Sequence, residues 1–424
     1  MADQNKYSVL YTVNLRFVIN GVENIAISSG DIVSISIMNQ FDTATYPMFR
    51  LRLFSDLSIL QSLTDNPDNI ELRGSFDGGV YRMGGTNNEE PVLVYPTQSI
   101  QIALKAYIEF KNTPTSKMDQ YVNGLPRTIT DELNVNNKVP IEIFGYDDKL
   151  IHRMRDQAQA VFKGMTIESV IKAMLSHCNI QKMQLDPIIN QKRFDQILIP
   201  NLSMIDAFSF FDVTYGLYPK GGMIYGGLDK LYLCDLSSSN HTTPLPIYVH
   251  SYQSNSDMSG MMNTQTGYFM QTEFANVSIL SESDIERVLN AERIHSVNVN
   301  SLDDSVVELQ FYKDSSESVH NGLITTVTSD NISPTLLLHK SSNPYVATMT
   351  AARINEKITR IDVSGVGFDI SVMKPNTRYN LIFESPIRGL NMADAYRASY
   401  LNHVLTTVGT NRFIAQSTMT LCRN

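Results

Sequence analysis

Between Val9 and Ile19 every second residue is apolar: Val9, Tyr11, Val13, Leu15, Phe17 and Ile19. A period of two puts these six side chains on one face of an extended segment, so the chain must build and cover a sheet from its start. Asn20-Gly21 follows, a dipeptide suited to positive φ at both turn positions, and Val22 to Ser28 is expected to return as the second arm of a hairpin. The same period recurs at Val33, Ile35 and Ile37, at Phe49, Leu51 and Leu53, at Ile102 to Phe110, and at Ile141 and Ile143. About five or six strands are therefore expected before residue 148. Residues 56–96 are polar and hold Gly78-Gly79 and Gly84-Gly85, which predicts one long loop within this unit, too long for a simple connection.

Helical spacing begins after Asp148. Ile167, Val170, Ile171, Met174 and Leu175 share one helix face, with Thr166 placed to cap it. Lys149 to Arg155 (KLIHRMR) interleaves Leu150, Ile151 and Met154 with basic residues and reads as an amphipathic, partly buried segment. Ser203 and Asp206 form a capping-box-like pair ahead of Phe208 and Phe211, and Gly216 is placed to end that helix. Glycine pairs at 221–222 and 226–227 punctuate a hairpin that runs into Leu231, Leu233, Cys234 and Asp235. From Leu236 to Thr272 the sequence turns to Ser, Asn, Met and Gly, which marks a boundary or a long excursion.

Strands then return at Val306 to Phe311 and at Ile358 to Ile370, where the apolar phase slips by one residue at Gly365, predicting a β-bulge. Lys374-Pro375-Asn376-Thr377 supplies a turn, Tyr379, Leu381 and Phe383 continue, and a short helix is expected at Asn391 to Arg397. Phe413, Ala415, Ser417, Met419 and Leu421 alternate to the end, and no fixed-period repeat is present. A chain of 424 residues exceeds the roughly 250 to 300 at which one core stops growing, so two or three domains are expected. The division read is 1–148, a first β-barrel; 149–236, a mixed α/β connector; and 237–424, a second β-barrel with a polar insertion at its start.

Composition narrows the function classes. With 34 basic against 43 acidic residues the net charge is -9, a mean field that repels phosphate and argues against specific nucleic-acid binding. No secretory signal is read at the start, and no window approaches the roughly 18 apolar residues of a membrane span, so a soluble protein with no membrane partner is expected. Cys178, Cys234 and Cys422 are far apart and odd in number, which suits core thiols better than a disulfide framework or zinc spacing.

The eight histidines (His152, His177, His241, His250, His295, His320, His339 and His403) show no metal-ligand spacing. Neither GxSxG nor GxxxxGK[ST] occurs, and Gly365 and Gly367 lie in a strand pattern with no helix to receive a phosphate. Asp147-Asp148, Asp303-Asp304 and Glu89-Glu90 read as solvated turn residues, not a hydrolytic pair. The sequons at Asn201, Asn240, Asn276 and Asn331 carry no weight without a secretion signal. No enzyme, no catalytic or cofactor-binding residue, no metal site and no cofactor is therefore expected.

Three stretches carry a resemblance: VPIEIFGYDDKLIHRMRDQAQAVFKGMTIESVIKAML, ILIPNLSMIDAFSFFDVTYGLYPKGGMIYGGLDKLYLCD, and the C-terminal run from Gly365 to Arg423. Their order of strand, capped helix, hairpin, then strand, proline turn and hairpin resembles the baseplate hub family of contractile phage tails. That family is related to the hub region of type VI secretion valine-glycine repeat spike proteins, from which this chain departs by ending at Asn424 without a following β-helix spike.

The resemblance implies a mainly β fold with a smaller α/β part: two tail-tube-like antiparallel β-barrels flanking the connector. It implies a structural virion protein of the tail baseplate, made in the host cytoplasm, that forms a homotrimer. Its ring would adapt a central spike, supplied as a separate chain, to the tail tube or its initiator proteins beside other baseplate proteins, with DNA passing without specific binding. Val9 to Ile19, Ile102 to Phe110, Ile358 to Ile370 and Phe413 to Leu421 are expected as barrel walls, and residues 56–96 and 237–263 as contacts with neighbours. A host-glycan-binding adhesin or tail fibre subunit and a tail-associated peptidoglycan hydrolase are the competing readings.

Overall fold

A computed structural model describes residues 6–41, 44–83, 90–109, 121–122, 125–126, 138–218, 221–236, 244–249, 271–272, 274–276, 294–299, 306–312, 320–324, 337–341, 360–383, 395–409 and 411–423. The fold is mostly β. Strand β1 (Lys6–Ile19) buries the predicted alternating face, turns at Asn20 (φ 51°) and Gly21 (φ 74°), and pairs with β2 (Glu23–Ile27). Strands β3 (Ile32–Gln40) and β4 (Met48–Asp56) follow as an antiparallel pair.

The expected loop at 56–96 is corrected. Those residues hold helix α1 (Leu57–Asp65), strand β5 (Ile70–Met83), which pairs with β1 along its whole length, and β6 (Val92–Pro96). Gly78 and Gly79, expected within that loop, serve close packing within β5 instead. A Cβ at Gly78 would sit 2.6 Å from the Tyr11 ring, and one at Gly79 would sit 2.4 Å from Leu93. Gly84-Gly85 lies outside the described residues. Strand β7 (Ile100–Glu109), the short pair β8 (Tyr121–Val122) and β9 (Leu125–Pro126), and β10 (Lys138–Tyr146) complete this part.

The mixed unit comprises α2 (Asp148–Arg155), β11 (Gln157–Thr166), α3 (Ile167–His177), β12 (Met183–Leu185), β13 (Arg193–Ser203), α4 (Met204–Thr214), β14 (Gly222–Gly226) and β15 (Leu231–Asp235). Both predicted caps form: Thr166 Oγ1 accepts from Ser169 N at 3.3 Å and Ser203 Oγ from Asp206 N at 3.2 Å. Ile151 and Met154 bury one face of α2, and Gly216 (φ 71°) follows the end of α4. The five apolar positions read for α3 are all buried, in a core shared with Phe208, Phe211, Leu231 and Leu233.

Strand β16 (Leu245–Val249) arises within the expected polar insertion, the rest of residues 237–263 lying outside the described residues apart from 244. Next come β17 (Gln271–Thr272) and β18 (Phe274–Asn276). A separate four-stranded sheet is made of β19 (Ile294–Val299), β20 (Val306–Tyr312), β21 (His320–Ile324) and β22 (Leu337–Ser341). The chain ends with β23 (Arg360–Val366), β24 (Arg378–Phe383), β25 (Tyr396–Thr407) and β26 (Phe413–Arg423).

Two further expectations are corrected here. The ladder of β23 with β26 runs without a shift from Arg360 to Val366, so Gly365 makes no bulge. The strand stops at the exposed Val366, and Gly367 (φ 79°) turns the chain while accepting from Val9 N and donating to Ala415 O. A Cβ there would lie 2.5 Å from Ser8 Oγ, so the glycine serves a close approach of backbones. The helix expected at Asn391 to Arg397 ends as strand, since Tyr396 and Arg397 already belong to β25; 391–394 lie outside the described residues.

The pairings trace a closed path. β25 pairs β3, β3 pairs β4, and the path continues through β10, β7, β5, β1 and β26 back to β25. A second path leaves the same hairpin: β25 pairs β24, β24 pairs β16 and β16 pairs β17, while β26 pairs β23 and β23 pairs β18. Strands β17 and β18 stand at the two ends of this path. The strands read as walls lie on these two paths, β1 and β7 on the first and β23 and β26 on the second, β26 being common to both. Sequence order alone would have kept the last hairpin out of the first path.

Candidate functional site

The shared hairpin β25–β26 passes through two hydrophobic cores, and inward positions can be followed along it. Leu405, Phe413 and Ala415 belong to the first core, which also holds Ile35 and Ile37 of β3. Leu401, Met419, Leu421 and Ala398 belong to the second, together with Phe41. A bulge between Ala398 and Tyr400 keeps Ala398 and Leu401 in one core despite their odd spacing. Between the cores the same rows present His403, Ser417 and Asn39.

This boundary is a polar layer. His403 Nδ1 lies 2.8 Å from Ser417 Oγ, with both side chains buried. The Tyr225 hydroxyl, from β14 of the mixed unit, donates to Asn39 Oδ1 at 2.8 Å. Tyr11 Oη accepts from Ile370 N at 2.8 Å and lies 3.3 Å from Asp369 Oδ1, which itself accepts from Ser371 N at 3.0 Å and Ser371 Oγ at 2.6 Å. Burial raises the Asp369 carboxyl above its ordinary range and pushes the His403 imidazole down to about 4. The layer thus ties first sheet, mixed unit and second sheet together through neutral or internally bonded groups.

Two exposed regions could meet other molecules. β6 is bonded to β5 along one side, and Val92, Leu93 and Val94 are about half exposed in succession. β11 and β13 pair only with each other among the described residues, and the cross-strand neighbours Val161 and Leu198 are 51% and 52% exposed. Unpaired strand edges with exposed apolar side chains invite pairing with a further chain.

The residues weighed for chemistry are scattered. Asp147 Oδ1 caps α2 by accepting from Leu150 N at 2.9 Å, and Asp148 lies 3.2 Å from His152. Asp303-Asp304 and Glu89 are outside the described residues. Cys178, Cys234 and Cys422 are buried and outside any disulfide among the described residues. Among the described residues no three His, Cys, Asp or Glu side chains are grouped to hold a metal, and no helix is long and apolar enough to cross a membrane. A charged groove of about 680 Å³ separates the first sheet from the mixed unit, with Glu71, Arg73, Lys105, Arg153 and Lys230 on its walls. The polar layer went unread in the sequence, although a histidine between Leu401 and Leu405 in a strand was its available signal.

No curated protein matches the sequence. Among solved structures, a tail protein from Neisseria meningitidis MC58 is similar at 13% identity and a TM-score of 0.48, covering 97% of each chain. A 43 kDa tail protein of prophage MuSo2 from Shewanella oneidensis is similar at 12% identity and a TM-score of 0.47, covering 97% of this chain and 96% of that one. An E. coli type VI secretion system component described as structurally similar to the T4 phage tail proteins gp27 and gp5 is similar at 7% identity and a TM-score of 0.43, covering 96% and 76%. The family model described as Bacteriophage PBS1 gene 109 protein matches residues 6–422, and the chain belongs to that family.

Proposed function

We propose that this chain is a structural subunit of a phage tail, and more finely the baseplate hub of a contractile tail. The observation that carries the reading is the pair of strand paths joined through one hairpin. Each path is read as a small tube-like barrel, so three copies place six barrels around an axis, and head-to-tail contacts close such a ring when the rotation fits. The units are then 1–148, 149–236 and 237–424, with hairpin 396–423 common to the first and last. β6, at the end of the 56–96 segment, and the β11–β13 pair are the surfaces for neighbouring subunits.

The ring adapts a separate spike chain to the tail tube or its initiator within the virion baseplate, beside other baseplate proteins. DNA passes without specific contacts, as suits a chain of net charge -9. The role is non-enzymatic. Mass photometry and negative-stain microscopy of the purified chain test it: three times 47.7 kDa and a ring with a central hole are expected. A compact monomer, or a clearing band on a cell-wall zymogram, would overturn it.

A further inference from the structure

Among the described residues β6 is bonded to β5 alone and β11 to β13 alone, so each keeps a free edge. Successive strand residues point to opposite faces, so the half-exposed run Val92, Leu93 and Val94 leaves β6 uncovered on both faces as well as along its edge. β11 is covered on one face only. Its Ala160 and Phe162 pack on the core of the mixed unit, while Val161 and Lys163 are exposed.

Charge sets how these two edges fit each other. Glu90 stands two residues before Val92 and Lys163 two residues after Val161; both are exposed, and neither forms an ion pair among the described residues. With the strands antiparallel and Val92 opposite Val161, Glu90 falls opposite Lys163, so apolar meets apolar and opposite charges meet. A parallel setting would put Val94 against Lys163 instead. β6 itself holds no basic residue, so two copies of β6 set together would offer Glu90 no cation along the strand. The matching surfaces therefore differ, and a contact between unlike surfaces of identical chains runs head to tail, the kind that closes a ring.

We propose that β6 of one copy adds as a third strand to the free edge of β11 in the next copy, antiparallel, with Val92 opposite Val161 and Glu90 opposite Lys163. The inference rests on the hub reading and names the contact that closes its ring. Mass photometry across a dilution series of the full chain tests it. Glu90→Lys and Lys163→Glu should each weaken assembly by about fivefold per contact, and the double variant should restore it. Directly opposed residues have Cβ atoms about 4.5 to 5.5 Å apart, so a chain carrying both Val92→Cys and Val161→Cys should oxidise to species of two and three linked copies on a non-reducing gel. A trimer indifferent to both charge changes and free of cross-links would overturn this contact and leave the hub reading standing. Linked copies from Val92→Cys alone would also overturn it, because β6 would then meet its own counterpart. A chain that stays monomeric at every concentration would overturn the hub reading and the contact with it.

Discussion

Replacing His403 by Leu should flatten the acid side of the stability profile. The imidazole is fully buried and its folded-state value is pushed down to about 4 from an ordinary 6.5. In the unfolded chain the ring binds a proton as pH falls through about 6.5, while the folded chain binds none until about 4. The group therefore contributes full stability above 6.5 and loses it progressively as pH falls to 4. Over those roughly 2.5 units, at about 1.4 kcal/mol per unit, the loss is about 3 kcal/mol. Asp369 works the other way, since its raised carboxyl favours the folded chain as pH falls, but it is present in both proteins and drops out of their difference. Urea unfolding of wild type and His403→Leu at half-unit steps from pH 4.5 to 7.5 measures that difference. Its slope should approach 1.4 kcal/mol per unit near pH 5.5 and vanish above pH 7. A difference independent of pH would show that the ring is solvated in the folded chain and that no buried layer separates the cores.

Gly78→Val should destabilise by more than about 3 kcal/mol in chemical denaturation, since its Cβ would lie 2.6 Å from the Tyr11 ring within a closed ladder. Tyr11→Phe leaves Ile370 N without its acceptor and should cost about 1 to 3 kcal/mol by the same assay. Val94→Lys on the half-exposed strand β6 should change stability by less than about 0.5 kcal/mol, yet reduce self-association in mass photometry if that edge meets a neighbouring subunit. A chain ending at residue 395 loses β25 and β26, and with them partners of β3 and β1. It should show no cooperative thermal transition and poor NMR dispersion, whereas a well-dispersed spectrum would contradict the shared closure.

Local structure was legible wherever one physical signal acted alone. The period-two run at Val9–Ile19, the Asn20-Gly21 turn, the caps at Thr166 and Ser203, and the hairpin before Asp235 each follow from nearest-neighbour chemistry. The failures share a cause as well. Gly78-Gly79 and Gly365-Val366-Gly367 are glycine-rich because distant backbone or side chains press on them, from Tyr11, Leu93 and Ser8, and a linear reading assigns such glycines to turns or bulges. His403 and Ser417 looked unremarkable for the same reason. Their role lies in standing opposite each other where one core ends and another begins, a coincidence of register that no single strand encodes.

The hairpin that creates this coincidence also limits how the two sheets can move. β25 spans 12 residues, roughly 40 Å at the rise of an extended strand, and its ladder with β26 runs from Thr407–Phe413 to Tyr396–Arg423. Two domains joined by a flexible linker can rotate freely, but two sheets joined by a continuous ladder cannot do so without breaking its hydrogen bonds. The bulge after Ala398 supplies a fixed bend in that ladder, and the His403–Ser417 contact and the Tyr225–Asn39 bond brace its middle from two sides. Under the hub reading, the angle between two barrels of one chain is thus set by folding, and the contacts between chains have only the remaining threefold closure to specify. A chain with that property can present a near-sixfold face to a tube while assembling from three identical parts.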